Sequence, residues 1–282
     1  MLQSALSQEA DSLRVAIAAA TPGNPVAAGY KTYSQTDEDG ILEDIFGRIG
    51  EGRRTFAEMG CGNGLENNTH LLLLKGWRGV WIDGDPKRIE FIAGHFPLTT
   101  SRLSVLEAFV TRENVSDLVT RGLSRLGAEI GGLDLVSLDL DGNDLEILSA
   151  LLQASEPRVL CLEYNAKFRL PVEVAVSYDA GHTWAEDDYH GASLASILRR
   201  IADRYTLVGC NVSGVNAFFV RNDLAGAFAA HPAEALYQPP RHHLALITSG
   251  HAASLKFLAA SLLGDESAVP AVSIADDLSD AG

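Results

Sequence analysis

The chain has 282 residues, 46% hydrophobic and 21% charged, enough for one large α/β domain with extensions or two small ones, with a core that needs no covalent staples. Its 22 Lys+Arg stand against 37 Asp+Glu, a net charge of −15, and no basic run exceeds Arg53-Arg54 or Arg199-Arg200. A surface of that sign repels phosphate backbones and anionic lipid, which argues against nucleic acid and membrane partners.

Three widely spaced cysteines, Cys61, Cys161 and Cys210, form no CxxC pair, so neither a disulfide framework nor a thiolate zinc site is indicated. The first residues lack a basic n-region, and Glu9 and Asp11 interrupt any signal-like stretch. No apolar run approaches membrane-spanning length. The expectation is a reducing, cytoplasmic setting.

In chain order, residues 1–30 read as a loose or helical leader closing on the turn-rich "TPGNP" at 21–25. "DEDGILEDIFGRIG" follows as a helix with Ile41, Leu42, Ile45 and Phe46 on one stripe. Strands are then predicted at 55–60, 79–83, 104–110, 133–140 and 157–163, with helices between them near 67–75, 86–95, 113–125 and 143–154. Short continuous apolar strands alternating with helices indicate a parallel sheet covered on both faces.

A long polar insert comes next, then a helix near 192–203. Two strands at 205–210 and 215–220 are joined by a tight "NVSG" turn. Five β/α units ending in a hairpin form the mostly parallel seven-stranded sheet of a Rossmann-like class I methyltransferase. Residues 226–282 read as an extension with a helix near 251–263 and an acidic, disordered tail. The predicted division is therefore 1–30 leader, 31–225 catalytic domain and 226–282 extension.

Between the first strand and its helix lies "EMGCGNG", with Glu58, Gly60, Gly62 and Gly64 at alternate positions. A P-loop would need a GK[ST] ending, and none is present. The dinucleotide fingerprint needs glycine at its sixth place, where this chain has Leu65. The remaining candidate is S-adenosylmethionine (SAM), whose amino-acid tail can lie against such a turn. Asp83, ending the second strand in "GVWIDGDP", is placed to accept from both ribose hydroxyls. A plain tight turn and a solvated strand end are the bland alternatives for the two features.

"SQTDEDGIL", "GWRGVWIDGDP" and "VSLDLDGNDLEIL", continued by "LCLEYN", "YHGASLASIL" and "YTLVGCNVSGVNAFFVRNDL", together resemble the FkbM-like SAM-dependent methyltransferases over about residues 31–225. The resemblance implies a class I fold, SAM as cofactor and, often, O-methylation of sugars or sugar-bearing metabolites. It assigns Glu58, Gly60 and Gly62 to the cofactor loop, Asp83 to the ribose, and Asp139 and Asp141 to the acidic motif after the fourth strand. That motif is more often D-V-E-G in the family, where this chain has Asp139-Leu140-Asp141-Gly142.

The tips of the fourth and fifth strands should lie side by side at the carboxyl edge, bringing Asp139, Asp141, Glu163 and Asn165 together. An all-oxygen set of Asp139, Asp141 and Asn165 suits Mg²⁺ or another hard cation. Alternatively Asp144 or Asn143 caps the next helix and Glu163 contacts backbone. In the insert, "WAEDDYHGASL" offers His190 as a base, with His182 next, so the catalytic candidates are His190, Asp141 and Glu163. Adjacent His242-His243 point apart on any regular element and make a poor zinc pair. Gln35 and Asp37 either fold over the cofactor or, for Asp37, cap the following helix.

The expected reaction is methyl transfer from SAM to a small polar acceptor, with pairing of two chains left open. Two rivals stand beside it. One reads Asp139-x-Asp141 as the metal-holding motif of a nucleotide-sugar glycosyltransferase, and the other is a module that binds SAM without turnover.

Overall fold

The computed structural model describes residues 2–96 and 101–245. Seven strands form one sheet: β1 Thr55–Met59, β2 Arg78–Asp83, β3 Leu103–Glu107, β4 Leu135–Leu138, β5 Val159–Glu163, β6 Tyr205–Cys210 and β7 Asn216–Arg221. Their spatial order is β3-β2-β1-β4-β5-β7-β6. β1 to β5 pair in parallel, and β7 runs antiparallel to both β5 and β6. This is the Rossmann-like class I methyltransferase arrangement that the terminal hairpin implies, with each predicted strand present and its ends within three residues of those predicted.

The apolar strand runs have a simple cause, since both faces of the sheet are covered. One face buries Ala57, Met59, Val80, Ile82, Val136, Leu138, Leu160 and Leu162. The alternate residues Phe56, Trp81, Leu135, Val159, Cys161, Phe218 and Val220 bury against the other. Period-two alternation therefore carries Glu58, Ser137, Glu163 and Asn216 onto the second face, at the edge where the strands end. Register sets Glu58 beside Ser137, Ser137 beside Cys161, and Glu163 beside Asn216. The sequence thus lays a row of polar groups along one lip of the sheet.

Helices cover the faces as the periodicity predicts. They are α1 Leu2–Ala20, α2 Glu38–Ile49, α3 His70–Leu74, α4 Pro86–His95, α5 Val115–Ser124, α6 Asp144–Ala154, α7 Leu194–Ile201 and α8 Ala233–Leu236. The leader is helical rather than loose. Its Ile17, and Val26 in the turn after it, are buried with Ile41, Leu42, Ile45 and Phe46 of α2. Beyond β7 the chain packs back: Tyr164 donates to Gln238 O (2.6 Å) and Tyr237 to Ala166 O (2.6 Å). The expected helix near 251–263 and the acidic tail lie outside the described residues.

Cys61, Cys161 and Cys210 are free and buried. Burial pushes each thiol above its usual range, so they act as small apolar side chains. Among the described residues no helix is long and apolar enough to cross a membrane.

Candidate active site

The three glycines after β1 are glycine for different reasons. All have left-handed backbone, with φ of 81° at Gly60, 56° at Gly62 and 84° at Gly64. A Cβ on Gly60 would lie 1.6 Å from Asp139 O, and one on Gly64 would lie 2.9 Å from the Phe96 ring. Those two let the loop pack against β4 and against an aromatic cluster of Trp81, Phe96 and His70. At Gly62 a Cβ would meet nothing within 4 Å. Only there does the missing side chain leave open space over the cleft.

Two carboxylates hold this loop. Glu58 accepts from Asn68 N (2.9 Å), Thr69 N (3.2 Å), Asn67 Nδ2 (3.3 Å) and the Thr69 hydroxyl. Burial pushes the Glu58 carboxyl up and those four donors oppose it. Its side chain is therefore spent on fixing residues 67–69, so it shapes the cleft wall. Asp83 accepts from Gly62 N (2.8 Å) and Asp85 N (2.8 Å), with the Arg88 guanidinium 3.5 Å from Oδ2. A carboxylate has about four lone-pair sites. If the half-exposed Arg88 swings aside, two remain for a ligand's hydroxyl pair.

Across the cleft, α6 is preceded by a loop that Asp144 ties down by accepting from Leu140 N (2.8 Å) and Gly142 N (2.9 Å). Neither Asp144 nor Asn143 caps the helix: Asp144 bonds N–H groups that precede it, and Asn143, at the N-cap position without a capping bond, pairs with Asp179 of the insert in both directions (2.7 and 3.2 Å). The loop holds Asp141 at φ 54°, left-handed for a residue with a Cβ. Asp141 and Asp139 face the cleft, and Glu163 stands behind them, 4% exposed.

Burial raises the carboxyls of Asp139 and Glu163 well above the usual range, and the surrounding acids add to it. Their mutual interaction splits them, opposing the rise at Asp139 and adding to it at Glu163. Burial and then Asp144 push Asp141 up to about 6, with Arg88 opposing.

The structure does not assemble the predicted oxygen set of Asp139, Asp141 and Asn165. Asn165 turns its amide away, donating to Asp188 O (2.9 Å) and His190 O (3.1 Å), and its carbonyl accepts from Lys167 N (3.3 Å). Sequence adjacency brought Asn165 to the right strand tip, but the insert claimed its side chain. What converges instead is Asp141, Glu163 and His190. His190 is buried, with Nδ1 3.8 Å from Glu163 Oε1 and its ring against Trp184. From the insert, His182, Thr183 and Trp184 line the cleft.

At the other lip, Gln35 lines the cleft while Asp37 does not. Asp37 stands at the N-cap position of α2 without a capping bond, and is buried against Val212 N (3.5 Å) and Arg14 (4.0 Å). Sequence reasoning missed Glu38 and Asn216. Glu38, fully buried, accepts from Asn211 Nδ2 (2.6 Å) and Asn216 Nδ2 (3.1 Å), tying α2 to the terminal hairpin. That bond orients the Asn216 amide, whose buried Oδ1 has no partner and belongs to a residue lining the cleft. Strand periodicity places Asn216 on the polar lip, which was the available signal. Nothing in the sequence links it to Glu38.

The cleft encloses about 820 Å³, within the range of small-molecule and cofactor sites. Six carboxylates line it (Glu58, Glu66, Asp83, Asp85, Asp139 and Asp141), against Arg88 as the one Lys or Arg among the described lining residues. Ala108, Phe109 and Val110 close its far end beyond β3, with Phe109 48% exposed. No helix N-terminus meets the glycines, because α3 begins only at His70. The means of cradling a pyrophosphate are therefore missing from this loop.

No protein-family model and no curated protein matches the sequence. Solved structures to which the chain is similar include an O-methyltransferase from Bacillus cereus in complex with S-adenosylhomocysteine (SAH), at 14% identity and TM-score 0.42 over 75% of this chain and 91% of that one. A SAM-bound amino pentose methyltransferase from Micromonospora echinaspora matches at 13% identity and TM-score 0.40 over 68% and 92%. A SAM-dependent methyltransferase from Mesorhizobium loti matches at 14% and 0.40 over 64% and 95%. These neighbours are methyltransferases, and at such distances the likeness says nothing of this chain's activity.

Proposed function

We propose that the protein is a cytoplasmic SAM-dependent methyltransferase of the FkbM-like kind, methylating a hydroxyl of a small polar or sugar-bearing metabolite. The observation that carries this reading is the cleft's charge around an open glycine. SAM brings a sulfonium and an ammonium and no phosphate, so it gains from the acids of the cleft, Glu66, Asp83 and Asp85 among them, which would repel NAD or a nucleotide sugar. The methionine end fits the space over Gly62, the ribose meets Asp83, and the adenine reaches the apolar end at Phe109.

Methyl transfer is an in-line displacement: the acceptor oxygen forms a bond to the methyl carbon as the C–S bond breaks. Sulfur keeps the electron pair, and SAH leaves. A sugar hydroxyl is a weak nucleophile until its proton is withdrawn. That proton passes to the cluster of Asp139, Asp141, Glu163 and His190, which adjoins the acceptor side of the cleft. The insert residues His182 to Trp184 exclude water from it. Mg²⁺ held by oxygen ligands alone is disfavoured, since Asn165 is committed to backbone carbonyls. The free, buried thiols suit a reducing compartment, and the acidic surface suits a small acceptor better than nucleic acid.

Calorimetry with SAM, SAH, NAD and UDP-glucose tests the reading. SAM and SAH should bind and the other two should not. Asp83→Ala should weaken SAM by ~2–4 kcal/mol, the loss of two charge-assisted hydrogen bonds. Binding of UDP-glucose in preference to SAM would replace this reading with the glycosyltransferase one. SAM binding with no labelled methyl group passed to any component of a cell extract would leave a binding module.

A further inference from the structure

The geometry points to a divalent transition-metal site formed by Asp141, Glu163 and His190 at the floor of the cleft, a proposal that rests on the methyltransferase reading for its role. Each side chain offers one ligand atom, and the three atoms lie within 4.8 Å of one another. His190 Nδ1 and Glu163 Oε1, 3.8 Å apart, are too far for a hydrogen bond. Two ligands of one ion at ~2.1 Å stand roughly 3–3.5 Å apart, so a closure of about an ångström across the group completes the shell.

An independent observation points to a ligand. Glu163 is 4% exposed, and its Oε2 has no hydrogen-bond donor. A buried carboxylate oxygen without a donor is costly unless a cation or a proton meets it. Its neighbours are carboxyls, Asp139 first, and no Lys or Arg forms an ion pair with it among the described residues.

Two carboxylates and an imidazole form a mixed oxygen and nitrogen set. That set favours borderline ions such as Mn²⁺, Co²⁺ or Zn²⁺, whereas Mg²⁺ prefers oxygen ligands and keeps its waters. Three protein ligands leave coordination positions open. Asp141 lines the cleft while Glu163 and His190 stand behind it, so the open side faces the acceptor. An ion held there would make a bound hydroxyl more acidic, with Asp139, the cluster's remaining carboxylate on the cleft, placed to take its proton. Asn165 then has a positioning role, because its bonds to Asp188 O and His190 O hold the segment that brings the imidazole in.

The test uses the full chain, stripped by chelator and titrated calorimetrically with MnCl₂, ZnCl₂ or MgCl₂ in the absence of SAM. One Mn²⁺ or Zn²⁺ per chain should bind at least about tenfold tighter than Mg²⁺. Glu163→Gln and His190→Ala, checked for folding by circular dichroism, should each weaken that binding by ~10²-fold or more, since the first removes the anionic ligand and the second the imidazole. No binding of Mn²⁺ or Zn²⁺ to the wild type would overturn the site and leave a shared proton as the answer to the buried carboxyls. Unaltered binding in both variants, or Mg²⁺ binding tighter than Mn²⁺, would also overturn it. SAM titrated into the same stripped protein separates the claims: SAM binding without metal binding sinks the metal site alone, and metal binding without SAM binding sinks the methyltransferase reading alone.

Discussion

The two sides of the cleft differ in how far their polar groups are satisfied. On the side of β1 and β2, Glu58 accepts four hydrogen bonds, and Asp83 accepts two backbone N–H groups besides facing Arg88. On the side of β4, β5 and β7, Glu163 Oε2, His182 Nε2 and Asn216 Oδ1 are buried without partners, and three acids crowd one strand tip. (His70 Nδ1, Trp77 Nε1 and Ser104 Oγ are exceptions on the first side, and none of these residues lines the cleft.) A surface that only has to hold a cofactor can be finished before the cofactor arrives. One that must change the charge of a reacting group keeps unmet groups in reserve.

The largest effect should come from filling the one open glycine. Gly62→Val should abolish SAM binding, by ~10³-fold or more, with circular dichroism unchanged, since the added side chain occupies ligand space and disfavours positive φ. Gly60→Val should fail to fold, because its Cβ meets the backbone of Asp139. Normal SAM titration of a folded Gly62→Val would return the loop to a plain turn and erase the contrast between the two sides.

Next in size is a pH effect under the roof of the unsatisfied side. Burial and then Glu38 push the Asp37 carboxyl up to about 7, opposed by Arg14 and the Val212 N–H. The folded state therefore holds this proton more tightly than the unfolded chain does. The resulting stabilisation is full below the ordinary carboxylate pKa and is lost as pH rises through about 7. Urea melts should show stability falling between pH 4 and 7, by up to ~4 kcal/mol from this group. Asp37→Asn should flatten that slope. A wild-type slope that survives the substitution would locate the titrating group elsewhere.

The smallest effect tests the comparison most directly. Glu58→Gln replaces an acceptor of four bonds and should cost ~2–3 kcal/mol in denaturant melts. Glu163→Gln relieves like-charge crowding and should stay within ~1 kcal/mol of wild type, or exceed it. Equal destabilisation by the two would show that both sides are equally well satisfied and break the distinction.

By itself the sequence determined the layer architecture, because period-two and helical patterning are local and the hydrophobic effect acts on them wherever the chain runs. It determined which strand tips carry Glu58, Asp83, Asp139 and Glu163, since parallel strands place their ends on one edge. It also marked the turn after β1, though not which glycine faces open space. Gly60 and Gly64 need neighbours distant in sequence, Asp139 and Phe96, to explain them.

Only the tertiary structure decided how the polar groups pair. Asn165 stood with Asp139 and Asp141 as a metal ligand by its strand tip, until the insert offered its amide the carbonyls of Asp188 and His190. Asp37 was an N-cap by its position until packing against Val212 and Arg14 turned its carboxyl inward. Asn216 had no meaning until Glu38, far along the chain, fixed its amide. Hydrogen bonds are short and directional, so their partners are settled by which loops meet, and loop meetings are not written in any local pattern.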